Sequence, residues 1–65
     1  MVTVLIESTG ERLEFRHLNT VTQLLGKLGV APIQVLVIRE GELLTPDRAI
    51  GHTGEIRVRH VVSRG

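Results

Sequence analysis

The chain predicts an α+β fold in which one helix covers one face of a mixed four- to five-stranded sheet. Three observations predict it. Apolar residues alternate with a period of two near both ends, in VTVLIE and EIRVRHVV. One internal stretch, TVTQLLGKLG, changes to the period of a helix. Glycine, proline and small polar residues punctuate the segments between them. One helix laid on one sheet is an economical two-layer way to bury both apolar faces.

The first segment is short and rich in β-branched residues, so it reads as a strand with Val2, Val4 and Ile6 on one face. STGE follows, and Gly10 suits the left-handed position of a hairpin turn. RLEFRH then alternates, pointing Leu13 and Phe15 inward and Arg12, Glu14 and Arg16 outward. In the helix, Val21, Leu24, Leu25 and Leu28 fall at i, i+3, i+4 and i+7, which is one stripe. Thr20 and Gln23 fit a capping box, Gly29 occupies the position after the last helical residue, and Pro32 prevents continuation. Gly26 weakens the helix interior by about 1 kcal/mol relative to alanine, so packing must hold the helix.

QVLVIRE is a third strand, apolar on both faces, as expected of a central strand or of an exposed patch opposite the core. LLTPD gives a very short strand stopped by Pro46, and RAIGHTGE reads as a turn-rich connection. The last strand turns Ile56 and Val58 inward and Arg57 and Arg59 outward. For the helix to cross correctly, the first and last strands must lie side by side in the middle of the sheet. That arrangement is the β-grasp. Residues 1–62 are expected to form this domain, and residues 63–65 a flexible C-terminal tail.

Composition narrows the function. Sixty-five residues make one domain with a thin core. There is no cysteine, which removes disulfides, thiolate metal sites and thiol nucleophiles together and accords with the cytoplasm, the expected location. MVTVLIEST has no basic leader and no long apolar run, so neither a signal peptide nor a membrane span is expected. A net charge of +1 and the lack of aromatic residues beyond Phe15 argue against a nucleic-acid partner. His17, His52 and His60 have no metal-ligand spacing and read as surface or strand-end residues; no metal site is expected. Ser8 and Ser63 lack a nucleophile motif, and the glycines form no phosphate-cradling sequence. No catalytic residue is assigned, and the domain is expected to bind or to be acted upon.

The strand order, the LLT after the third strand, the stretch VLVIREGELLTPD and a last strand running into VVSRG resemble the ubiquitin-like sulfur carriers of the ThiS/MoaD type. These include bacterial carriers for tRNA 2-thiouridine that double as protein modifiers. The resemblance covers the whole chain and rests on pattern and length. It implies that the chain is a protein co-substrate and no enzyme. An E1-like adenylating enzyme would join the carboxylate of Gly65 to AMP, and sulfur transfer would give a thiocarboxylate. That group would donate sulfur to a biosynthetic enzyme in thiamine, molybdopterin, thiolated-tRNA or related pathways, and LLTPD tilts toward the thiamine and tRNA types. No cofactor would be bound; the acyl-AMP and thiocarboxylate are covalent states of the terminus. Ser63 and Arg64 would form the tail that threads into the activating site, where a glycine end adopts extended conformations closed to other residues.

The family ends in Gly-Gly, whereas Arg64 precedes Gly65 here. Three readings stay open: Arg64 pairs with a carboxylate of the activating enzyme, the protein in its host ends one glycine later, or the carrier role has been lost and the fold kept. The resemblance also places Leu36, Ile38, Arg57 and Arg59 on the outer sheet face as a partner-docking patch, with Ile38 in the place of ubiquitin's exposed isoleucine. Lys27, the only lysine, would limit self-acylation. A carrier that enters other proteins' active sites is expected to be a monomer. The alternative is a non-catalytic β-grasp binding module whose tail is inert.

Overall fold

The computed structural model describes residues 1–61. The chain runs β1 (Val2–Ile6), β2 (Glu11–Phe15), β3 (Leu18–Thr20), α1 (Val21–Leu28), a 3-10 turn (Pro32–Gln34), β4 (Val35–Arg39), β5 (Glu42–Leu44), β6 (Ala49–Gly51) and β7 (Gly54–His60). Five strands form one sheet in the order β2-β1-β7-β4-β5. The β1·β7 pair is parallel, with Val4 opposite Ile56, and the other three pairs in this sheet are antiparallel. The expected β-grasp arrangement is therefore present, with first and last strands adjacent and α1 across one face.

Local chemistry explains each element. In the first hairpin the Gly10 amide donates to the Ile6 carbonyl at 2.8 Å, and Gly10 has φ +77°, a conformation glycine adopts without a Cβ penalty. At the start of α1, Thr20 Oγ1 accepts from the Gln23 amide at 3.2 Å. The Gln23 side chain reaches back one residue further than a capping box requires, to the Asn19 amide at 2.6 Å. The amides of Val21 and Thr22 donate to the carbonyls of Arg48 and Pro46 at 3.1 and 3.0 Å, so the loop before β6 completes the cap. At the other end the Val30 amide reaches the Leu25 carbonyl and the Gly29 amide reaches Gly26, a Schellman ending with Gly29 at φ +73°.

The helix stripe expected from sequence is the buried one: Val21, Leu24 and Leu25 are buried and Leu28 packs at the margin. They meet Val2, Val4, Ile6, Val35, Val37, Leu44, Ile56 and Val58 from the sheet. No polar or charged side chain is buried among the described residues.

One region departs from the sequence reading. Leu18–Thr20, to which the sequence reading assigned no strand, and Ala49–Gly51, expected as part of a turn-rich connection, pair as a second, two-stranded antiparallel sheet, β3·β6, with Leu18 opposite Gly51 and Thr20 opposite Ala49. Leu18 is fully buried and Ile50 nearly so. Three-residue strands are too short to show alternation, and only the closed fold supplies their partner.

Candidate functional site

The sheet face opposite α1 carries the residues proposed for docking. Alternation sends Val35, Val37, Ile56 and Val58 to the core and leaves Leu36, Ile38, Arg57 and Arg59 on the other side. Register then brings them together: Leu36 is opposite Arg59, and Ile38 is opposite Arg57. Ile38 is also opposite Leu43 on β5, and Arg57 is opposite Leu5 on β1. One row across four strands therefore reads Leu5, Arg57, Ile38, Leu43.

Two features of this face differ from expectation. Ile38 and Leu36 are half-buried; the exposed aliphatic of this row is Leu43, at 58%. And the two arginines share an acid. Arg59 Nε donates to Glu7 Oε1 at 2.7 Å, and Arg57 Nη1 lies 3.6 Å from Glu7 Oε2. The hydrogen bond from Arg59, reinforced by the charges of both guanidiniums, holds the Glu7 carboxyl below the usual carboxylate range. The Arg59 guanidinium is correspondingly raised by Glu7. The trio carries one net positive charge, so the face is less basic than a free arginine pair.

Leu43 and Glu7 were missed from sequence. Parity could have found Leu43, since a two-residue turn at Glu40-Gly41 sets it opposite Ile38. Glu7 follows the end of β1, and its amide donates to the Val58 carbonyl at 3.0 Å, which continues the parallel ladder and sets its carboxylate beside β7.

Two concavities border this face. One of about 270 Å³ is lined by Ile38, Glu40, Gly41, Glu55 and Arg57. Glu40 there has φ +52°, the only positive value outside glycine among the described residues, as a tight two-residue hairpin demands. The other, about 240 Å³ and mainly apolar, opens between α1 and the β5 edge, lined by residues that include Val21, Leu25, Pro32, Leu36, Leu43 and Pro46.

No protein-family model and no curated protein matches the chain.

The remaining candidates fall in three places. β7 is followed by Val61, whose amide donates to the Gln34 carbonyl at 2.9 Å and so extends the β4·β7 pairing by one step. Gly65, expected from the sequence to be the reactive end, and the expected tail residues Ser63 and Arg64 lie outside the described residues, as does the end of the expected 1–62 domain. Near that end of β7, Ser8 Oγ and His60 Nδ1 are 3.1 Å apart, both exposed. At the opposite end, the rings of His17 and His52 stack at 6.3 Å between centroids. Among the described residues no three His, Cys, Asp or Glu side chains cluster as a metal cage, and no helix is long and apolar enough to cross a membrane.

Proposed function

We propose that this chain is a ubiquitin-like sulfur carrier whose terminal carboxylate, on Gly65, is its reactive group. The observation that carries the reading is the parallel pairing of β1 with β7 in a β-grasp sheet, which makes the C-terminal strand a central one. That strand is tied to its neighbours as far as Val61, and Gly65 lies four residues further along the sequence.

The chemistry follows from the weakness of a carboxylate as an electrophile. A carboxylate oxygen of Gly65 attacks the α-phosphorus of ATP in the activating enzyme, and pyrophosphate leaves. Hydrosulfide then attacks the acyl carbon, AMP leaves with the C–O bond it breaks, and loss of the S–H proton leaves a thiocarboxylate. Sulfur passes from it to a biosynthetic enzyme. The domain's part is recognition: Ile38, Leu36 and Leu43 supply apolar contact, and the Glu7-Arg57-Arg59 cluster supplies polar registry at the rim.

A second reading, a binding module with an inert tail, is favoured by that same apolar row. Intact mass of the protein from its own cells separates the two. A species heavier by one oxygen-to-sulfur exchange at the terminal glycine is expected of the carrier. A plain carboxylate that stays plain with ATP, sulfide and the host's activating enzyme would overturn the carrier role. Deletion of Gly65 should abolish adenylation with docking retained; a binding module would be indifferent to it.

A further inference from the structure

We propose that His17 and His52 form a two-imidazole chelate for a divalent transition metal such as zinc, clipping together the two short strands that lead into the helix and into β7. The histidines are distant in sequence and are brought together by the closed fold: Phe15 and Gly54 both lie opposite Val2 in the main sheet, and β3 pairs with β6 beside them. In β3·β6 the register sets Leu18 opposite Gly51, so the next step of the same antiparallel ladder sets His17 opposite His52. Directly opposed residues of an antiparallel pair have Cβ atoms about 4.5–5.5 Å apart. The observed rings agree, with centroids 6.3 Å apart and planes inclined by 22°.

Both side chains are exposed, so the rings can turn about their own torsions without disturbing the core. Two imidazole nitrogens on one tetrahedral zinc, with bonds near 2.0–2.1 Å, sit about 3.3 Å apart, a separation these rings reach by rotation. Imidazole is a ligand suited to zinc, nickel and copper, and neutral imidazole is the form that binds. The His52 backbone is already held, because the Met1 α-amino nitrogen donates to its carbonyl at 2.9 Å. His17 is fixed from the other side by the fully buried Leu18 that follows it. The site supplies two protein donors, and water completes the coordination. Its consequence is mechanical. β3 runs directly into the Thr20 cap of α1, so a metal across His17 and His52 secures the entry to the helix.

His60 is a built-in control, an exposed histidine of the same chain whose neighbour is Ser8. Zn²⁺ added to the full chain in a non-chelating buffer should bind with one-to-one saturation. The ring resonances of His17 and His52 should move together while those of His60 stay, and the melting midpoint should rise with Zn²⁺ and return with EDTA. Because the second bond of a chelate is intramolecular, His17→Gln and His52→Gln should each weaken binding by about tenfold or more, and His60→Gln should leave it unchanged. Equal, non-saturating shifts of all three histidines, or a His17→Gln variant that keeps wild-type affinity, would overturn the site. The wild-type spectra decide the matter even if a variant fails to fold.

Discussion

Glu7 and Arg59 lie at opposite ends of the sequence and meet at 2.7 Å, carboxylate oxygen to Nε, across the parallel β1·β7 pair that defines the fold. The same carboxylate faces Arg57. One acid thus ties the outer surface of the C-terminal strand to the first hairpin.

That pairing has a pH signature. The Glu7 carboxyl is lowered in the folded protein, chiefly by the Arg59 hydrogen bond. A group lowered on folding contributes stability above its unfolded value and loses it as pH falls through the folded one. Wild type should therefore exceed Glu7→Gln in urea midpoint at neutral pH, and the gap should close as pH falls through and below the ordinary carboxylate range. A gap that is constant with pH would show that the ion cluster does not act through ionisation. Raising salt should narrow the gap at neutral pH, because the side chains are partly exposed.

Two glycines of the helix, Gly26 and Gly29, should respond to alanine with opposite signs. Gly26 is in the helix interior, and a Cβ built there meets nothing within 4 Å. Gly26→Ala should stabilise by about 0.5–1 kcal/mol. Gly29 also has open space but sits at φ +73°. Gly29→Ala should destabilise by about 1–2 kcal/mol because the backbone is left-handed there. Denaturant unfolding of both variants checks the pair, and equal signs would contradict the Schellman ending.

The core has little to spare. Leu24 is fully buried between α1 and the sheet. Leu24→Ala should cost about 2–5 kcal/mol. A domain of this length is expected to have about 3–10 kcal/mol in total, at roughly 0.05–0.15 kcal/mol per residue. The variant should be largely unfolded or melt far below wild type by circular dichroism, whereas Thr20→Ala should cost only about 1 kcal/mol through its lost cap.

The outer face should fail in docking before it fails in folding. Ile38→Asp and Leu43→Asp place a charge in the apolar row. Each should weaken binding to the activating enzyme that the proposed carrier role requires, measured by calorimetry, with near-native melting for Leu43→Asp because that residue is mostly exposed. Unchanged affinity in both variants would remove the face from the site.

The longer local elements were legible in the residues because each repeats a short-range pattern. The alternation of Val2, Val4 and Ile6, the stripe from Val21 to Leu28 and the glycine at position 29 need no information from elsewhere in the chain. The proposed docking face was half legible for the same reason: parity alone separates Ile38 and Arg57 from Val37 and Val58. It could not reveal Glu7, whose role depends on which strand lies beside β1.

The elements β1, β2, α1, β4, β5 and β7, their order and the inward or outward sense of most of their residues thus follow from the residues without reference to the closed fold. The pairing of β3 with β6, the carboxylate shared by Arg57 and Arg59, and the meeting of His17 with His52 do not; they belong to the folded chain. The difference is one of range. Helical and strand periodicity are set by torsions and side chains a few residues apart. Those three contacts join residues from opposite halves of the chain, or strands too short to carry a pattern. They exist because burying Leu18, Ile50 and the β1·β7 seam closes the chain on itself.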